Sequence, residues 1–134
     1  MAESKKILIA DDEPQLALAL KIRLQSVGYT VVTAPDGQQA LELAIQEKPD
    51  LIILDVLMPV MDGYTCLREL QARFGRGKIP VVILTARDQM KDLFELEGVD
   101  DYVIKPFDYE DLLVRIERIF KRRAEDSASP TPAV

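Results

Sequence analysis

Five polar residues stand where apolar runs end. Asp11 and Asp12 follow Ile7-Leu8-Ile9-Ala10, Asp55 follows Leu51-Ile52-Ile53-Leu54, Thr85 closes the run from Ile79 to Leu84, and Lys105 follows Tyr102-Val103-Ile104. As parallel strands of one sheet, these runs would all open on the same edge. Three carboxylates, a hydroxyl and an ammonium then meet in one shallow site. Carboxylates gathered this closely repel one another unless a cation joins them. An all-oxygen, partly exposed set favours Mg²⁺, which keeps several of its waters. A carboxylate beside Mg²⁺ can attack phosphorus and become an aspartyl phosphate. The transferring phosphoryl group spreads charge over three oxygens. Mg²⁺ matches one, Lys105 another, and the Thr85 hydroxyl with a backbone N–H the third.

Taken singly, each residue has a plainer reading. An Asp after a strand is commonly a turn or cap residue, Thr85 a strand-end hydroxyl, and Lys105-Pro106 an ordinary dipeptide. Their shared placement at four strand ends is what argues for chemistry.

The elements that must position them read as β-α repeated five times. The continuous apolarity of Ile7 to Ala10 suits a strand covered on both faces. Pro14 fits the first turn of a helix, where its missing N–H costs nothing. Leu16, Leu20, Leu24 and Val27 recur at helical spacing, and Gly28 ends that helix. Tyr29 to Thr33 is the second strand, and Asp36 a cap for a second helix whose inward stripe is Ala40, Leu41, Ala44 and Ile45. Leu51 to Leu54 is the most apolar run and belongs at the sheet centre. A third helix spans Gly63 to Phe74, with Leu67 and Leu70 inward and Cys66 facing the core. A shorter helical stretch carries Leu93, Phe94 and Leu96, and a last helix carries Leu112, Leu113, Ile116, Ile119 and Phe120. Short connections and strict alternation imply an α/β fold, a parallel sheet with helices on both faces. Five units make an open, doubly wound sheet, with chemistry beyond the carboxyl ends of its strands.

Composition bounds the rest. The 134 residues suit one domain, and the 48% apolar content suits one core. The net charge of -6 argues against direct nucleic-acid binding, which needs a basic footprint. A single cysteine, Cys66, allows no intrachain disulfide and fits a reducing, cytoplasmic setting. No run approaches membrane-spanning length. The chain contains no histidine, so a phosphohistidine cannot form within it. The Ser/Pro-rich stretch after Arg123 has too little apolar content to pack, and 123–134 is expected to be a disordered tail after a folded domain at 1–122.

The stretches Ile7 to Glu13, Asp55 to Gly63 (DVLMPVMDG), Pro80 to Ala86 (PVVILTA) and Gly98 to Phe107 (GVDDYVIKPF) resemble the receiver domain of bacterial two-component response regulators, over about residues 5–122. The resemblance is to the single-domain, chemotaxis-regulator-like form. It implies a flavodoxin-like sheet of order 2-1-3-4-5 with five helices. It further implies phosphorylation at Asp55, Mg²⁺ held by Asp11, Asp12, Asp55 and the backbone carbonyl of Leu57, and phosphoryl contacts from Thr85 and Lys105. Tyr102 matches an aromatic that changes rotamer when the threonine moves, and Lys105-Pro106 matches a cis peptide bond. The donor would be a histidine kinase or phosphotransfer protein acting in trans, and the output an unidentified protein target. The chain would be a monomer or a phosphorylation-dependent dimer. It would be no enzyme beyond its own phosphorylation and dephosphorylation.

The chain departs from the family's pattern between Thr85 and Lys105, a stretch somewhat shorter than in many relatives. The fourth helix is therefore expected to be short. Asp100, Asp101, Arg115 and Arg122 fit the charged dimer face of one DNA-binding subclass and equally fit a solvated surface. Leu57 and Arg87 flank the site, and their bulk would slow hydrolysis of the phosphoryl group. Three alternatives stand beside the receiver reading. The chain could be the receiver part of a longer regulator, or an adaptor that keeps the fold without phosphorylation. A phosphatase with an Asp nucleophile is disfavoured, because such enzymes place a second Asp where Leu57 stands.

Overall fold

Alternate residues of a strand face opposite sides of a sheet, and here both sides are apolar. The computed structural model describes residues 4–86 and 89–128. Its elements run β1 (Lys6–Ala10), α1 (Pro14–Ser26), β2 (Thr30–Ala34), α2 (Gly37–Glu47), β3 (Leu51–Leu54), α3 (Gly63–Phe74), β4 (Val81–Thr85), α4 (Lys91–Leu96), β5 (Asp101–Ile104) and α5 (Tyr109–Ala128). The strands are parallel in the order β2-β1-β3-β4-β5. This is the expected doubly wound, flavodoxin-like α/β sheet with five helices. Leu8, Ile52, Leu54 and Ile83 face α2, α3 and α4. Ile7, Ile9, Ile53, Val82 and Leu84 face α1 and α5. The runs look continuous in sequence because both faces are covered.

Local chemistry sets the helix ends. Pro14 opens α1, and Gly28 follows it with φ +106°. Asp36 caps α2 by accepting from the Gln39 N–H at 2.8 Å. Asp62 caps α3 in the same way, accepting from the Thr65 N–H at 2.7 Å.

Several inward expectations are corrected. Val27 lies exposed because it is the C-cap of α1, past the last helical turn. Ile45 sits at the edge of its stripe and is also exposed. In α4 only Phe94 is buried, while Leu93 and Leu96 face outward. The helix is short, as expected. Burying Phe94 gains about 1.5–3 kcal/mol, against roughly 1–2 kcal/mol for ordering each residue's backbone, so contacts from other elements must hold this helix in place.

The last helix, α5, continues to Ala128, past the expected boundary at 122. Arg123 explains the extension. Its guanidinium donates to Asp100 Oδ1 at 2.8 Å and Oδ2 at 3.0 Å and to the Gly77 carbonyl at 2.6 Å. Residues 129–134 of the expected tail lie outside the described residues.

Cys66 is fully buried on the inner face of α3. Burial, followed by the charges of Asp62 and Glu69, pushes its thiol up to about 12. At pH 8 it should not react with iodoacetamide in the native protein and should react readily in guanidinium. Reaction of the folded protein at the free-cysteine rate, followed by mass spectrometry, would contradict this placement.

Candidate functional site

The carboxyl ends of β1, β3, β4 and β5 meet at one edge, and the sheet ladder places each functional residue there. Asp11 N–H donates to the Ala34 carbonyl at 3.1 Å, Asp55 N–H to the Ala10 carbonyl at 2.9 Å, and Lys105 N–H to the Thr85 carbonyl at 2.8 Å. Asp11, Asp55 and Thr85 are buried, whereas Asp12 is exposed. Carboxylate oxygens of Asp11, Asp12 and Asp55 all lie within 4.8 Å of one another. Lys105 Nζ reaches Asp11 Oδ2 at 2.8 Å, Asp55 Oδ2 at 3.3 Å and Glu13 Oε1 at 3.3 Å. The other oxygens of the buried pair accept backbone N–H bonds, Asp11 Oδ1 from Glu13 at 2.9 Å and Asp55 Oδ1 from Val56 at 2.7 Å.

Burial and the paired charges together set the proton affinities here. Burial pushes the Asp11 carboxyl up, against the pull of the Lys105 hydrogen bond, the Glu13 N–H and the Lys105 charge. Burial alone would lower Lys105, but the hydrogen bond and charge of Asp11, then Asp55 and Glu13, leave it raised. Both groups thus shift toward holding a proton. Three all-oxygen donors, one of them exposed and two crowded in a buried site, fit a hard divalent cation that retains water.

The β3–α3 loop is held by two close approaches. Gly63 N–H donates to the Val56 carbonyl at 2.7 Å, and a Cβ on Gly63 would lie 2.0 Å from the Asp55 carbonyl oxygen. On the other side, Gly37 N–H donates to the Met61 carbonyl at 3.0 Å, where a Cβ would lie 2.1 Å from that oxygen. The loop is clamped between the starts of α2 and α3.

The structure thus brings Asp11, Asp12, Asp55 and Lys105 together, with Thr85 buried on the neighbouring strand end. Leu57 is half exposed on the loop after Asp55, and Arg87 lies outside the described residues. Tyr102 is buried with its ring centroid 5.8 Å from that of Phe94. The Lys105-Pro106 peptide bond is cis. Asp100 has a structural use, since its Oδ1 also accepts the Val81 N–H at 3.1 Å. Asp101 pairs within the chain, with both oxygens 2.9 Å from Arg115 Nη1. Glu13 was not singled out as a site residue. Its adjacency to Asp11-Asp12 was the available signal, but its reach to Lys105 depends on the fold.

An open five-stranded doubly wound sheet with an acidic triad, a threonine and a lysine at its carboxyl edge defines the receiver class of signalling module. The chain belongs to the response regulator receiver domain family, whose profile matches residues 7–117. It is 43% identical over 95% of its length to a probable transcriptional regulator, ycf27, of Cyanophora paradoxa, covering 53% of that protein. It spans about half the length of the curated relatives it matches. Among solved structures, it resembles the receiver domain of the Francisella response regulator 1452, with 34% identity, a TM-score of 0.80, and coverage of 90% of this chain and 99% of that one. It also resembles the response regulator TrrA of Thermotoga maritima in complex with Mg²⁺ and BeF, with 31% identity, a TM-score of 0.77, and coverage of 86% and 98%.

Two substitutions test this geometry. Replacing Gly63 with Ala should destabilise the protein by about 1–3 kcal/mol in denaturant unfolding, although Ala is the better helix former; a stabilised variant would contradict the close approach. In chelator, Lys105→Met should cost about 3 kcal/mol, because it strands the carboxylates. MgCl₂ should then raise the melting temperature of the variant more than that of the wild type, and equal shifts would argue against charge repulsion as the cause.

Proposed function

We propose that Asp55 is the phosphoacceptor of this receiver. The observation that carries the reading is the meeting of the Asp11, Asp12 and Asp55 oxygens within 4.8 Å, with Lys105 bridging Asp11 and Asp55. Asp11, Asp12, Asp55 and the Leu57 carbonyl would hold Mg²⁺. Bound there, Mg²⁺ would supply charge neutralisation for the transferring phosphoryl group.

The chain's own residues do the remaining work. A carboxylate oxygen of Asp55 forms the new O–P bond as the donor's P–N bond breaks, and the imidazole departs with the donor. Lys105 already spans the two buried carboxylates and needs only a short move to meet a phosphoryl oxygen. Thr85, at the end of the adjacent strand, would turn its hydroxyl to another. Tyr102, buried here against Phe94, would report that movement to the surface beyond β5, shifting a two-state equilibrium that a partner reads.

Receivers of this family take phosphoryl groups from histidine kinases and act on downstream targets. The donor proposed here is a histidine kinase or phosphotransfer protein, since this chain lacks histidine. The free Cys66 supports a cytoplasmic setting. Among the described residues, no helix is long and apolar enough to cross a membrane. The exposed Leu57 supports slow loss of the phosphoryl group.

A second reading has its own support. The curated relatives are about twice as long, and several of them are named probable transcriptional regulators. On that reading this chain is the receiver part of such a regulator.

With acetyl phosphate and Mg²⁺, the wild type should gain the mass of one phosphoryl group and Asp55→Asn should gain none. Equal labelling of both, or of neither, would refute the assignment.

A further inference from the structure

The end of α4 farthest from the site is gripped by α3. A helix leaves its last carbonyls without partners, and one side chain from α3 and one from the loop that follows it take two of them. Gln71 Nε2 donates to the Glu97 carbonyl at 2.7 Å, and Arg76 Nη2 donates to the Leu96 carbonyl. The Glu97 carboxylate is held as well, by Tyr64 Oη at 3.2 Å and Arg68 Nη1 at 3.5 Å. Tyr64 also packs edge-on against Phe94, with ring centroids 5.6 Å apart. Gly98 then turns the chain with φ +83°. The opposite end differs. There Met90, at the N-cap, makes no side-chain cap bond but packs its adaptable thioether side chain against the core, and this end follows Thr85 along the chain.

The bracing helix is itself tied to the phosphoacceptor strand. Gly63 precedes Tyr64 and sits against the Asp55 carbonyl, so the grip on Glu97 is referenced to the strand that carries Asp55.

We propose that α3 is a fulcrum for α4. Through Tyr64, Arg68 and Gln71, with Arg76 in the loop just beyond its end, it holds the Glu97 end still, while the end nearest Thr85 swings when the site is occupied. The helix then rotates about Glu97 and does not slide. The inference rests on the phosphoacceptor reading for what drives the motion, but the brace can be tested without it.

The first measurement is native-state hydrogen exchange without ligand. Gln71→Leu combined with Arg76→Met should speed exchange of the Phe94, Glu97 and Val99 amides about tenfold, the size expected for one hydrogen bond's net contribution. Tyr64→Phe, which deletes one oxygen, should act in the same direction with a smaller effect and guards against misfolding of the double variant. Unchanged exchange in both would overturn the brace.

The second measurement is the amide NMR response to beryllofluoride with Mg²⁺. In the wild type, Ala86 and Gln89 to Lys91 should shift more than Glu97 to Val99, and the double variant should even out that gradient. Equal shifts at both ends of wild-type α4 would overturn the fulcrum. Absence of any response around Asp55 would instead sink the phosphoacceptor reading.

Discussion

One constraint governs this molecule: the crowding of acidic oxygens at the carboxyl edge of the sheet. Asp11 and Asp55 are buried on adjacent strands with Asp12 beside them, and Lys105 is the ammonium that reaches both buried carboxylates. Two like charges a few ångströms apart are costly in a partly desolvated site. Burial raises Asp11 against the pull of its lysine. A divalent cation or a protonated carboxyl lowers that cost. The same crowding that costs stability makes the site receptive to a cation.

The surrounding structure keeps that arrangement in place. The ladder fixes β1 beside β3, so Asp11 and Asp55 cannot separate without breaking the register. The loop after Asp55 is pressed between two glycines whose missing side chains make room for the Met61 and Asp55 carbonyls. Asp36 and Asp62, the caps of α2 and α3, set where those glycines stand. The site is therefore precise even though much of it lies on loops.

The five strands and the convergence of Asp11, Asp12, Asp55 and Lys105 are legible because period-2 burial on both faces leaves continuous apolar runs, and each run ends in a polar residue; the strand order follows only from the resemblance to receiver domains. The helix faces were less legible at their margins. Val27 and Ile45 have the right spacing but sit past a cap or at a stripe's edge. Local pattern could not foresee Asp100, whose bonds to Val81 and Arg123 join residues far apart in sequence. The same long-range bonds accompany the continuation of α5 past 122. A composition shift signals loss of core contacts, but Arg123 gains a polar anchor that composition does not report.

That anchor has a geometric consequence. At 20 residues, α5 is about 30 Å long. It starts beside the site, just after Lys105 and Pro106, and returns to the opposite rim of the sheet. There Arg123 ties it to Asp100, immediately before β5, the strand that carries Tyr102 and leads into Lys105. Helix and strand thus form a closed mechanical loop, joined at one end by the chain and at the other by a guanidinium–carboxylate clasp. A displacement of β5 would therefore act on α5 at both of its ends, through the chain at one and through the clasp at the other.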